Sequence, residues 1–279
     1  MTVAPPHVDL HTHTSASDGV LSPTELVSEA SRRGISVLGV TDHDTLDGLD
    51  EAETTANQVG IELIPGVELS TTVSVGEFHL LGYFVDRHDD RFVSRLHELT
   101  DSRLRRVRLM LAKLTDLGYD VDVDRVMAEG DSGSIGRPHV ARELMRLGVV
   151  DSVSEAFERF LKSNRPAFVP REEFPPEDAI AVLLGNRAIP VLAHPFSTRD
   201  PEAALVRLVP SGLRGIEVYY AEYSPEQHQV LSDLADRFGL LKTGGSDFHG
   251  TPDREGRDLG SSPVPEAVID NLRAAASRK

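Results

Sequence analysis

Short apolar runs and helical repeats take turns along the first third of the chain. HVDLH (7–11) predicts a strand. SPTELVSEASRRG (22–34) predicts a helix, with Ser22 as N-cap, Pro23 at N1, Glu25 closing a capping box and Gly34 as the stop. ISVLGVTDH predicts a second strand, and LDGLDEAETTANQVG a second helix, again closed by glycine. IELIPGVELS and EFHLLGYFV predict the third and fourth strands. Strands separated by helices imply βαβ units and a parallel sheet.

The rhythm breaks near residue 91. A long helical pattern covers 91–117, shorter ones follow at about 137–147 and 154–162, and NRPAFVPREEFPPEDA forms a proline-rich exit. The βα alternation then resumes. AIPVLAHP, GIEVYY and LLKTGGSDFHG predict three more strands, with helices at 201–208 and 225–238 and a last one at about 264–277. The organisation expected is an α/β barrel built from residues 1–94 and 172–279, interrupted by a helical insertion over 95–171.

Composition narrows the setting. The 279 residues are 39% hydrophobic and 27% charged, as in a folded globular chain. No apolar run approaches the roughly 20 residues needed to span a bilayer. No basic start followed by an apolar stretch marks a secretory signal, which points to a cytoplasmic location. There are no cysteines, so any metal must be held by His, Asp, Glu or water. A net charge of -16 argues against a protein that coats nucleic acid. The charge is uneven: residues 95–171 balance at +2 and the remainder at -18.

Ligand-type residues collect where the strands end. His11 and His13 follow the first strand, His43 the second, and Glu68 the third. His79 lies in the fourth, His194 follows the fifth, and Asp247 and His249 follow the last. In barrels of parallel strands the active site forms at the face of strand C-termini. An HxH pair on a strand sends both imidazoles to one side, because side chains repeat every two residues. Taken singly, each residue has an ordinary reading. Asp18 in SASDG and Asp247 beside Gly244 and Gly245 read as turn residues, and Glu68 as a helix cap. The joint placement of nine such residues is harder to assign to turns. His7, His88, His97, His139 and His228 fall outside the pattern.

The motifs DLHTHTSASDG, GVTDHDTLDG, IPGVELS, FHLLGY, LAHP and GSDFHG, in this order, resemble those of the PHP (polymerase and histidinol phosphatase) superfamily of metal-dependent phosphoesterases. The chain is most similar to the stand-alone branch of phosphatases acting on nucleotides and RNA 5′ ends, which also carries a helical insertion. The resemblance implies a distorted (β/α)7 TIM-like barrel and three divalent ions per chain. One would be held by His11, His13, Glu68 and Asp247. A second would share Glu68 and add His79 and His194, and a third would use Asp18, His43 and His249.

Clustered cations reduce the repulsion between a nucleophile and a phosphate ester, and they make a bound water acidic. On this reading a hydroxide held between the first two metals attacks phosphorus in line. Imidazole and carboxylate ligands suit Mn, Fe or Zn better than Mg alone. The substrate expected is a small phosphorylated compound, a nucleotide or short RNA. SIGRPHVAR puts Arg137 after Gly136 at a helix start, where amides and a guanidinium fork both favour phosphate. Arg165 and Arg171 are further candidates, while the cluster Arg103, Arg105, Arg106 and Arg108 reads as a solvated helix face. Two other functions fit the motifs: histidinol-phosphate phosphatase, and a non-catalytic PHP module with a binding or structural role.

Overall fold

The computed structural model describes residues 7–73, 78–128, 134–251 and 256–277. Seven strands form one sheet in chain order: β1 His7–Asp9, β2 Ile35–Val40, β3 Glu62–Ser70, β4 His79–Tyr83, β5 Ile189–Leu192, β6 Gly215–Tyr220 and β7 Leu241–Gly245. The sheet curls until its ends meet. Leu10 N–H donates to Gly244 O at 3.2 Å, His13 N–H to Phe248 O at 2.9 Å, and Thr12 bridges Phe248 in parallel. Gly244 and Gly245, within the stretch LLKTGGSDFHG that predicts the last strand, are the final residues of β7. A Cβ on Gly245 would lie 2.4 Å from the His11 backbone nitrogen. Closure beside His11 therefore depends on a missing side chain.

The pairing departs from an all-parallel barrel in one place. β4 runs antiparallel to both β3 and β5, with Ser70 opposite His79 and Leu80 opposite Leu192. The physical reason is the connection. Residues 71–78 are too few for the crossover of a dozen or more that parallel neighbours require. Reversal puts the first residue of β4, His79, on the rim where the other strands end. Glu77, the expected start of this strand, lies outside the described residues.

Helices cover the sheet: α1 Pro23–Arg32, α2 Leu49–Val59, α8 Pro201–Leu208, α9 Pro225–Phe238 and α10 Ala267–Ala276 lie where the apolar periodicity predicts, and α7 Pro176–Gly185 joins them. Ser22 closes the capping box with Glu25, and Gly60 ends α2 in the left-handed region. α7 is an addition, since the proline-rich exit turns helical once Pro176 occupies N1. One apolar cluster joins strands to these helices through Leu26, Leu38, Ile180 and Leu231.

The 27-residue helix α3, Asp90–Asp116, leaves the barrel after β4. Its first turns bury Phe92 and Leu96 in the barrel cluster. Its later turns bury Val107, Met110 and Leu114 in a separate cluster with Val140, Leu144 and Phe160. That cluster is completed by α4 Val123–Ala128, α5 Arg137–Arg146, α6 Val153–Ala156 and a π-helical turn over Phe157–Leu161. α4 has no counterpart among the sequence expectations. The arginines of α3 are not a uniformly solvated face. Arg105 and Arg108 are exposed, but Arg106 is buried and donates to Val169 O at 2.8 Å. Arg103 is tied to Asp44 Oδ2 at 2.5 Å and Ser70 Oγ at 2.5 Å. Both partners flank the barrel rim, so α3 is anchored beside the predicted ligands. Among the described residues, no helix is long and apolar enough to cross a membrane.

Candidate metal centre

Buried carboxylates set the loops that carry the rim histidines. Asp42, in the strand-end motif TDHD, accepts Thr14 N–H at 2.7 Å and the hydroxyls of Thr14 and Ser17 at 2.7 and 2.5 Å. It thereby fixes the turn that presents Asp18. Asp44 accepts Ser70 N–H at 2.9 Å, joining the His43 loop to the end of β3. Asp9 accepts Ser246 N–H at 2.9 Å, Ser246 Oγ–H at 2.6 Å and Gly260 N–H at 2.8 Å, which holds the segment bearing Asp247. Glu217 on β6 accepts His11 Nδ1–H at 3.0 Å and His194 N–H at 2.7 Å. Rim geometry is also strained: Asp44, His194 and Asp247 have φ of 54°, 28° and 53°. Non-glycine residues hold such angles only where the surroundings enforce them.

All nine predicted side chains converge. Glu68, 1% exposed, lies at the centre. Its Oε2 is 3.2 Å from His11 Nε2, 3.1 Å from His13 Nε2 and 3.3 Å from His43 Nδ1. Its Oε1 is 2.9 Å from His79 Nδ1 and 3.0 Å from His194 Nε2. Asp247 Oδ1 stands 3.4 Å from His11 Nε2 and 3.2 Å from His13 Nε2. Asp18 Oδ1 is 3.2 Å from His249 Nε2 and 4.0 Å from His43 Nε2. Three groups have donor atoms mutually within 4.8 Å: His11, His13, Glu68 and Asp247; His13, Asp18, His43 and His249; and His43, Glu68 and His79. His13 and His43 are thus shared between groups, and His194 approaches through Glu68.

The donor chemistry fits divalent cations. His13 Nδ1 and Nε2, Asp18 Oδ1 and His43 Nδ1 are buried without a hydrogen-bond partner among the described residues. Buried polar atoms are rarely left so. Burial opposes charge on Asp18, Glu68 and Asp247, yet the surrounding imidazoles hold all three well below the usual carboxylate range. Burial also opposes charge on His13, but the Asp247 and Glu68 carboxylates, 3.2 and 3.1 Å from its Nε2, raise it to about 9. Burial depresses His43 well below the ordinary imidazole value. A carboxylate with several imidazoles at ligand distance is a set that Mn, Fe or Zn satisfies. A cleft of about 400 Å³ opens onto Glu68, His79, His194 and Asp247, with Phe196, Tyr220, Tyr223 and Arg257 on its walls.

The insertion reaches this rim from one side. Ser134 N–H donates to Ala16 O at 2.7 Å, and Arg142 donates to Asp18 O at 3.3 Å. Arg137 occupies the first position of α5, its guanidinium 5.2 Å from the centre of the Phe157 ring. Arg165 is exposed, 3.9 Å from Glu158 Oε2. Arg171 borders a different cavity of about 360 Å³ together with Arg103 and Asp44.

His139, one turn into α5, is buried, and its Nδ1 accepts Gly136 N–H at 3.1 Å. Burial first, and then the Arg142 charge, lower it to about 4, with Asp18 pulling the other way and Arg103 adding a smaller push down. Between pH 6.5 and 4 the folded chain therefore binds fewer protons here than the unfolded chain. Stability is present above 6.5 and is lost as pH falls towards 4. Relative to His139→Asn, the wild type should lose about 2 kcal/mol more between pH 7 and 5. Urea melts at the two pH values check this; parallel losses in both proteins would show that His139 does not titrate in this window.

Sequence reading missed the supporting groups Asp9, Asp42, Asp44, Glu217, Tyr220 and Arg257. One signal was present: charged residues inside strands that the pattern buries, as in HVDLH and GIEVYY.

Fold and rim together are those of a metal-dependent phosphoester hydrolase, and comparison with known proteins agrees. Residues 9–162 match the PHP domain. The chain is 37% identical over 245 residues to a 5′-3′ exoribonuclease of Haemophilus influenzae, spanning 86% of this chain and 89% of that protein. It is 34% identical over 281 residues to a 3′,5′-nucleoside bisphosphate phosphatase of Chromobacterium violaceum, spanning 98% of both. A solved protein of Bifidobacterium adolescentis, described as an inferred metal-dependent phosphoesterase, superposes with a TM-score of 0.88 at 29% identity over 98% of each chain. The chain belongs to the PHP family.

Proposed function

We propose that this metal-dependent phosphoester hydrolase removes a phosphate from nucleotides that carry two, such as nucleoside 3′,5′-bisphosphates. The observation that carries the reading is the convergence of six imidazoles and three carboxylates around Glu68 at the floor of an open cleft. The near full-length likeness to a bisphosphate phosphatase supports the substrate class. Short RNA 5′ ends are the second reading, supported by the likeness to an exoribonuclease. Three divalent ions per chain, drawn from Mn, Fe or Zn, are proposed for the three donor groups. When bound, such ions neutralise phosphoryl oxygens and activate water near neutral pH.

The chain's own residues do the rest. Glu68 offers two oxygens to different sets of imidazoles and so would join neighbouring cation sites. Asp18, His43 and His249 would hold the site nearest the insertion. Residues 95–171 are proposed to form a substrate-recognition subdomain, seated on the Asp18 loop through Ser134 and Arg142. Arg137 and Arg165 are its proposed phosphate contacts. Arg137 stands at a helix N-terminus, where backbone amides also favour anions.

A substrate panel tests this. Charge-assisted contacts to phosphate are worth about 1.5–3 kcal/mol. Arg137→Ala should therefore lower kcat/KM about 10- to 100-fold on a nucleoside 3′,5′-bisphosphate. An aryl phosphate, with no second phosphate, should lose little. Lysine should recover part of the loss, lacking the planar fork. Equal losses on both substrates would place Arg137 on the reacting phosphate, and no loss on either would remove it from the site.

A further inference from the structure

Asp247 is gripped on both of its oxygens, and only one of them faces the donor groups. Oδ1 points at His11 Nε2 and His13 Nε2, 3.4 and 3.2 Å away. Oδ2 accepts the Tyr220 hydroxyl at 2.9 Å and an Arg257 guanidinium N–H at 2.5 Å. Arg257 is itself braced. It donates to Glu222 at 2.8 Å, and its guanidinium carbon lies 5.2 Å from the centre of the Tyr220 ring. Tyr220 ends β6, and Arg257 lies ten residues beyond Asp247, so two separate parts of the chain meet on one carboxylate oxygen.

We propose that Tyr220 and Arg257 are positioning residues that occupy Asp247 Oδ2 and so leave Oδ1 as the single oxygen offered to the cation shared with His11 and His13. The proposal rests on the reading of this rim as a metal site. A carboxylate can bind a cation through one oxygen or two. Two donors on Oδ2, one charged, make the second mode expensive, because a buried hydrogen bond to a charged group would be broken. The backbone adds to the argument. Asp247 has a φ of 53°, an angle a non-glycine residue keeps only under constraint, and the preceding Ser246 is held by Asp9. Arg257 also borders the cleft, which raises the competing role of a phosphate clamp. Two of its three nitrogens are already committed to carboxylates, so a bidentate fork onto phosphate would require breaking one of these pairs.

The test uses full-length protein stripped with a chelator and titrated with Mn²⁺ by calorimetry, for wild type, Tyr220→Phe, Arg257→Met and Arg257→Lys. Outer groups that orient ligands typically contribute 10- to 100-fold to metal affinity. Tyr220→Phe and Arg257→Met should each bind one Mn²⁺ per chain about 10- to 100-fold more weakly, with the remaining Mn²⁺ unchanged. Arg257→Lys should fall between them and wild type. Excess Mn²⁺ should return kcat on an aryl phosphate towards wild type with KM unaltered. Tyr220→Phe removes one oxygen atom, so it keeps the test open if Arg257→Met does not fold. Wild-type Mn²⁺ affinity in both variants would overturn the proposal. So would a raised KM with unaltered Mn²⁺ affinity, which would make Arg257 a substrate contact. A wild-type chain that takes up no Mn²⁺, Fe²⁺ or Zn²⁺ would remove the metal-site reading itself.

Discussion

Glu68→Gln should reduce phosphate release by about 10²- to 10³-fold or more while leaving the secondary structure intact. The carboxylate is 1% exposed and lies within 3.3 Å of five imidazole nitrogens, contributed by His11, His13, His43, His79 and His194. Glutamine keeps the size and one oxygen but loses the charge that two cation sites would share. Bound cations contribute several kcal/mol to the transition state, and each 1.36 kcal/mol is a factor of ten in rate. Phosphate release and circular dichroism on the same preparation check it. Near-normal turnover in excess metal would show that Glu68 does not link the sites.

The barrel was legible because its strands are short apolar runs and its helices carry their own caps. SPTELVSEASRRG announces both ends of α1, and Ser22, Glu25 and Gly34 each take the role that local chemistry assigns. The orientation of β4 was not drawn from the sequence although a signal existed. An eight-residue connection cannot carry a crossover, and the antiparallel turn it forces is what brings His79 to the rim. The arginines of α3 were misjudged for a different reason. Helical periodicity gives the side a residue faces, and only the tertiary arrangement reveals that Asp44 and Ser70 wait on that side for Arg103.

The ligand-type residues were legible because imidazoles at successive strand ends have few ordinary explanations. Their supports were not. Asp9 and Asp42 sit in the same motifs as His11 and His43, yet their work is to hold the Ser246 segment and the Thr14–Ser17 turn. Glu217 orients His11 across 206 positions of sequence. Such pairings depend on how the barrel closes, and no local pattern encodes them. Arg257 is a comparable case, since its two carboxylate partners come from different loops.

Metal removal should have the other large effect, and it tests the central claim most directly. Saturating one site at a hundred times its dissociation constant adds about 2.7 kcal/mol of stability. For a chain of this size that is roughly 5–10 °C in Tm per site. Chelated protein should therefore melt well below the loaded protein. It should lose at least about 10³-fold in activity, because the cations contribute several kcal/mol to the transition state. The decisive measurement is the metal content of gently purified protein by elemental analysis, followed by titration of the chelated chain with recovery of phosphate release. The donor groups around Glu68 predict about three divalent ions per chain, with activity returning as they bind. A stoichiometry that never exceeds one, or full activity in the chelated protein, would contradict the account.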